Sequence, residues 1–269
     1  MVERVIQTSD DSASGHRAPA ARRYRDPLTR LASAAVFLLA WQIAAEAAQS
    51  RLLPGVISVL RAMVQQTMSG VLPWNLAITL GRVAAAFAIS LVLGSALGIG
   101  MGRSRRLDLW LDNAVTVLLN LPALVLIVLL YVWFGLNEVA AITAVALNKL
   151  PTTVVTMREG ARALDPALAE MARSFQMPRW RNLRHVILPQ LAPYLFAAAR
   201  SGLALIWKIV LVVELLGRSN GIGFQIQIYF QLFDVRLILA YTVAFVLVVQ
   251  LIEWIIMQPL ESWAARWRT

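Results

Sequence analysis

Six stretches of this chain run for roughly 20 residues with few charges, at about 31–48, 77–101, 109–134, 139–157, 191–215 and 236–259. About 20 apolar residues in helix cross a bilayer core, and a backbone inside lipid must satisfy its own N–H and C=O groups. These runs therefore predict an all-α membrane protein of six transmembrane helices. With 59% hydrophobic residues and a mean hydropathy of +0.65, the chain is too apolar for a soluble domain of its length.

Between the runs, the polar segments set the organisation. Residues 1–30 are Arg-rich and lack apolar periodicity, which predicts a flexible cytoplasmic tail ahead of a transmembrane domain over 31–269. Ala45-Glu46-Ala47 faintly resembles a signal cleavage site, but the leader would be over-long, so the first helix is expected to be retained. Val56 to Met68, opened by Pro54-Gly55, predicts a short interfacial helix outside the membrane. Seventeen Lys and Arg lie in the tail, at 103–106, in the 158–190 loop and at the C-terminus, against four in the opposite loops. That asymmetry places both termini and the 158–190 loop in the cytoplasm.

Several functions are excluded. The net charge of +10 fits topology and anionic membrane lipid, and no nucleic-acid partner is expected. Without cysteine there is no thiol nucleophile, disulfide or cysteine metal site. His16 and His185 are the only histidines, far apart, so no metal site or acid–base pair is expected. Gly98-Ile99-Gly100 and Gly221-Ile222-Gly223 lack a strand–turn–helix context, and neither lysine precedes Ser or Thr, so there is no P-loop. The chain is read as a non-enzyme without catalytic residues; energy for uphill transport would come from another subunit or an ion gradient.

One polar island, Asp165 to Pro189, stands out. Asp165 can cap a helix whose first residue is Pro166, and Leu168, Met171, Ala172 and Phe175 fall on one apolar face before Pro178 ends it. A basic segment, Arg179 to Ile187, leads through Leu188-Pro189 into the next apolar run. By pattern alone this fits either a surface helix of a cytoplasmic loop or a docking element.

The same island resembles the EAA motif of the membrane-spanning subunits of bacterial ABC importers. That motif reads E-A-A, three residues, G, nine residues, I-x-L-P. Here it is Glu170-Met171-Ala172, Gln176, and Val186-Ile187-Leu188-Pro189. Met171, Val186 and Gln176 depart from the pattern, and Gln176 stands where glycine would permit a tight turn. Leu121-Pro122, Trp133-Phe134-Gly135, Trp207-Lys208, Glu214 and Gly221-x-Gly223 are similar to the nitrate, sulfonate and taurine branch. The resemblance covers roughly Leu31 to Trp267 and implies a type I ABC importer permease fold in the bacterial inner membrane, working as a homodimer. It implies two ABC ATPase subunits that bind ATP and Mg, with no cofactor in this chain, and a periplasmic or lipid-anchored solute-binding protein. Glu170, Met171, Ala172, Phe175, Gln176, Leu188 and Pro189 would couple to the ATPases. The cargo would be a small anion such as a sulfonate, taurine or nitrate. An ion-coupled secondary transporter would show an internal repeat, and a non-transporting scaffold would not need buried charges.

Charges within the runs carry the remaining information, because each is costly at the bilayer centre. Arg82 and Lys149 are placed near helix ends, where they would snorkel. Lys208 either pairs with Glu214, which is close in sequence but poorly phased, or lines the translocation path with it. Gly94, Gly98 and Gly102 recur at four-residue spacing and predict close helix approach, within one subunit or between two.

Overall fold

The computed structural model describes residues 27–257, and all its regular elements are helical. Residues 1–26 of the expected tail and the segment from 258 onward lie outside the described residues. Helix α1 (Pro27–Ala48) is followed by α2 (Val56–Met68), whose bounds are those expected for the interfacial helix. Long helix α3 (Val71–Arg103) then leads into α4 (Arg105–Asn120), α5 (Ala123–Phe134) and α6 (Glu138–Arg162). A short hairpin holds α7 (Pro166–Ser174) and α8 (Arg179–Asn182). A π-helical turn (Leu183–Ile187) joins it to α9 (Leu188–Gly217), and α10 (Ile222–Gln231) and α11 (Val235–Ile252) follow.

Among the described residues four helical stretches are long and apolar enough to cross a membrane: Val71–Arg103, Glu138–Arg162, Arg179–Gly217 and Val235–Ile255. Six runs are expected from the sequence, and the other two correspond to a bent pair and a shorter apolar helix. The run at 109–134 is bent by 103° between α4 and α5, and it counts as a fifth span only if the bent pair crosses as one. The break falls at Leu121-Pro122: proline has no N–H for the helix ladder and forces the residue before it out of helical geometry, and Leu121 sits at φ −70°, ψ 125°. The apolar part of α1, Ala32–Ala48, is shorter than the other spans.

The bundle is built on α3 against α6. A Cβ on Gly94 would lie 2.7 Å from Thr153 Cβ, one on Gly98 would collide with the Val154 carbonyl, and one on Gly102 would lie 2.6 Å from Ala161 Cβ. The glycine face is thus filled from within the same chain, where backbone-to-backbone approach gives the dispersion contact that lipid cannot replace. Buried Ala140, Ala141, Ala144 and Val145 of α6 meet Ile206 and Val210 of α9 in the main core. Trp207 packs edge-on against Phe245 of α11 at 6.0 Å between ring centroids. Val59 and Ala62 of α2 bury against Ala240, which ties the interfacial helix to α11.

Helices α3 and α6 run parallel, Gly94 lying beside Thr153 and Gly102 beside Ala161, and α9 returns antiparallel with Tyr194 against Gly160, so α7 lies at the end where α3 and α6 finish and α9 begins. The opposite, far end is closed by charges. Arg82 is buried at 4% exposure and directs all five N–H donors at partners. Nε donates to Glu138 Oε2 at 2.9 Å, and Nη1 to Glu214 Oε1 at 2.7 Å and the Asn220 carbonyl at 2.9 Å. Nη2 donates to Glu138 Oε1 at 2.5 Å and to Asn220 Oδ1. Arg218 adds a second bond to Glu138 Oε1 at 2.7 Å. Arg82 therefore does not snorkel.

Candidate functional site

The hairpin between α6 and α9 is shaped by local chemistry. Asp165 caps α7 as its sequence predicts, Oδ1 accepting from the Ala167 N–H at 2.8 Å, with Pro166 in the first turn where its missing donor costs nothing. At the other end, Met177 N–H donates to the Ala172 carbonyl and Gln176 N–H to the Arg173 carbonyl, both at 2.9 Å. That pair of bonds is the Schellman arrangement, which needs a left-handed residue, and Gln176 has φ +46°. The position where the resemblance would place glycine is thus a left-handed turn in this chain, held by glutamine at a conformational cost of about 1–2 kcal/mol.

The root of the hairpin is closed by a residue that sequence reading passed over. Gln190 accepts from the Asp165 N–H at 2.8 Å and donates to the Val186 carbonyl at 2.8 Å, joining the start of α7 to the π-helical turn. A polar side chain directly after Leu188-Pro189, facing an apolar helix, was the available signal. The π-helical turn itself precedes Pro189, which cannot donate to the His185 carbonyl and crowds it, so the helix widens there.

On this frame α7 rests against the π-helical turn, with Ala172 buried. Glu170 faces outward, and Met171 and Phe175 are exposed, Phe175 to 77%. Leu168 is exposed as well, so the expected apolar face of α7 is left largely uncovered by the chain, and Trp180 of α8 adds to it. Leu188 is half exposed and Pro189 opens α9. Five of the seven expected coupling residues lie on α7 and the turn that ends it, and Leu188 and Pro189 open α9 at the hairpin's root. Beside its root lies a cavity of about 360 Å³ lined by apolar groups such as Ile99, Met157, Leu191 and Phe196, with Ser95 as its one polar side chain.

The two charges read on α9 separate. Glu214 is fully buried and bound by Arg82, by Thr79 Oγ1 at 3.0 Å and by the Gly223 N–H at 2.9 Å. Its ion pair is with Arg82, and neither Lys208 nor Arg218 is its partner. Gly221 (φ +104°) and Gly223 let the backbone close around that carboxylate; a Cβ on either would strike Glu214. Lys208 is exposed on the face of α9 turned away from the chain's own core. Lys149, expected at a helix end, instead lies midway along α6 and is buried at 2% exposure. The 139–157 run itself centres near Lys149, and the helix that contains it leaves this residue far from both ends. No group of His, Cys, Asp and Glu suited to a metal occurs among the described residues.

Residues 90–257 match the family described as the binding-protein-dependent transport system inner membrane component. The chain is 29% identical to the aliphatic sulfonates transport permease protein SsuC of Bacillus subtilis, covering 87% of this chain and 85% of that one. With SsuC of Escherichia coli it shares 33% identity over 68% of this chain and 71% of the relative. With the bicarbonate transport system permease protein CmpB of Synechococcus elongatus it shares 26%, over 82% and 85%. In fold it is similar to a chain of the inward-facing MetNI methionine ABC transporter, with a TM-score of 0.62 at 18% identity, covering 73% of this chain and 98% of that one. A capped hairpin helix at one end of a glycine-packed bundle, on a chain that matches this family over more than half its length, makes the protein a member of the inner-membrane permease family of binding-protein-dependent ABC transport systems.

Proposed function

We propose that the chain is the permease subunit of an ATP-driven importer for a small anion of the sulfonate class, with α7 as the element that docks on the ATPase. The observation that carries this is the apolar face of α7. Met171 and Phe175 project from a helix that is capped at both ends and clamped at its root, yet nothing among the described residues covers them. An apolar helix face laid into a groove of a partner is a recurrent docking mode, and an Arg-rich hairpin is poorly suited to lie in lipid. The charge asymmetry of the loops puts this hairpin and both termini in the cytoplasm, where an ATPase is met.

In this reading two copies of the chain form the path, with an ATPase under each hairpin and a separate solute-binding protein delivering cargo on the far side. The chain itself binds no nucleotide and catalyses no reaction. ATP-driven closure of the ATPases moves α7, and α9, continuous with the hairpin through the π-helical turn, carries the motion into the bilayer. Permeases for aliphatic sulfonates and bicarbonate among the relatives support an anionic cargo. Lys208, on the exposed face of α9, supports it electrostatically, since a cation in a low-dielectric path lowers the barrier to a negative solute.

The test is copurification of the ATPase with Phe175→Asp and Ala172→Pro variants. Phe175→Asp removes apolar contact from an exposed position and should leave membrane insertion and melting intact while abolishing ATPase association or transport. Ala172→Pro breaks α7 itself and should do the same. Association and uptake unchanged in both variants would remove α7 as the docking helix.

A further inference from the structure

The chain contains only two lysines, Lys149 and Lys208, against 23 arginines, and the fold brings both to one face of α9. Lys149 starts on α6, but its side chain passes over α9 at Gly202, where a Cβ would lie 2.8 Å from Lys149 Cε. Gly202 is thus the gap through which the lysine crosses the helix. Its Nζ ends beside the Ser201 hydroxyl at 3.4 Å, just beneath an exposed residue. Ser201 and Lys208 are seven residues apart, which is two turns, so they share a face about 10 Å apart along the axis.

The two buried cations of the bundle are satisfied very differently. Arg82 meets two carboxylates and uses every donor. Among the described residues Lys149 has no carboxylate partner, and a single long hydrogen bond serves an ammonium with three donors. A buried charge left this way is costly in a membrane unless an anion comes to it. The apolar cavity at the hairpin root offers no comparable polar group to an anion, so the α9 face is the better seat.

Building on the proposed anionic cargo, we infer that Lys149 Nζ and the Ser201 hydroxyl form a binding site for the solute's oxyanion group midway along the span, with Lys208 as a second cationic station about two turns toward the far end. The serine hydroxyl, which donates to the Ala198 carbonyl at 3.2 Å, can swing its proton to the anion while the ammonium supplies charge and two further donors. Gly202 keeps the lysine in place without filling the face that the solute must pass.

With only two lysines in the chain, amine chemistry reads this site directly. The complete importer, with ATPases and binding protein, is reconstituted in vesicles and methylated reductively with and without ethanesulfonate, and each lysine is quantified by peptide mass spectrometry. Ethanesulfonate should lower methylation of Lys149 severalfold, whereas ethyl methyl sulfone, similar in size but uncharged, should not. Equal labelling with and without the anion would overturn the site. In uptake assays Lys149→Met should lose about tenfold or more of ethanesulfonate transport with assembly and melting retained, because a hydrogen bond to a charged group is lost. Lys149→Arg should keep more uptake than Lys149→Met, and Ser201→Ala should lose less. Wild-type uptake by Lys149→Met would overturn the assignment alone, leaving the proposed function standing. Failure of the unaltered complex to take up ethanesulfonate would overturn the solute class, and the Lys149 site with it.

Discussion

The two ends of the bundle follow opposite rules. At the far end the chain satisfies itself: the guanidinium of Arg82 uses all five donors, and the backbone N–H groups of Gly221, Ile222 and Gly223 meet Asn75 Oδ1, Thr79 Oγ1 and Glu214 Oε2. Tyr131 donates its hydroxyl to the Val213 carbonyl at 2.9 Å, adding α5 to the same closure. At the α7 end Arg158 and Arg162 tie α6 to Asp108 and Asp112 of α4, but on α7 itself the bonds are few and large apolar side chains are left outside. A region that pairs nearly all its polar groups internally, Arg218 Nε excepted, gains little from a partner, while one that holds a helix rigidly and leaves its apolar face bare is finished only when covered. The contrast separates the part of the molecule that maintains the fold from the part proposed to dock a partner.

Breaking the far end should cost most. Arg82→Met leaves Glu214 buried without its counter-charge, a loss on the order of 3–5 kcal/mol, and should abolish recovery of folded protein or lower the melting temperature sharply in detergent. Combining it with Glu214→Gln removes the orphaned charge and should restore part of the loss. If Arg82→Met melted like the unaltered chain, the far end would not be the structural anchor. The opposite behaviour is expected of Gln190→Leu, which opens the root of the hairpin. Its melting should move little, because the two bonds lost contribute roughly 1 kcal/mol each, but ATP hydrolysis should persist while uptake falls. The smallest effect sharpens the comparison from the other side: Gln176→Gly relieves a left-handed residue and should stabilise the turn by up to about 1 kcal/mol, read as slower hydrogen exchange across α7 with unchanged uptake.

What could be read from the sequence was what local chemistry decides. Asp165-Pro166 marked the start of α7, Pro54-Gly55 opened α2, and the spacing of Gly94, Gly98 and Gly102 marked a close helix contact, because each depends on residues within a turn or two. What failed depended on distant partners. Glu214 was compared with Lys208, six residues away, whereas its partner Arg82 lies 132 positions back along the chain. Arg82 was assigned to a helix end because hydropathy marks where apolar residues stop, and α3 begins six residues before that point; Lys149 was misplaced although its own run, 139–157, centres near it. Leu121-Pro122 was recognised as a family feature but not as a break, since a 26-residue apolar run looks continuous to composition. At the hairpin, the left-handed position was legible from the motif even though its usual glycine is absent, while Gln190 had no motif to announce it.

If the hairpin is driven as proposed, its pairing with a pinned far end makes α9 a lever. Its 30 residues span about 45 Å, with the fulcrum at the Glu214 junction and the effort applied at Leu188 through the π-helical turn. Ser201 sits near the middle of that arm and Lys208 nearer the fulcrum. A sideways displacement of the hairpin therefore reaches Ser201 at about half its amplitude and Lys208 at about a quarter. Such gearing trades travel for force where the solute is held, and it makes the outermost cation the most nearly stationary one.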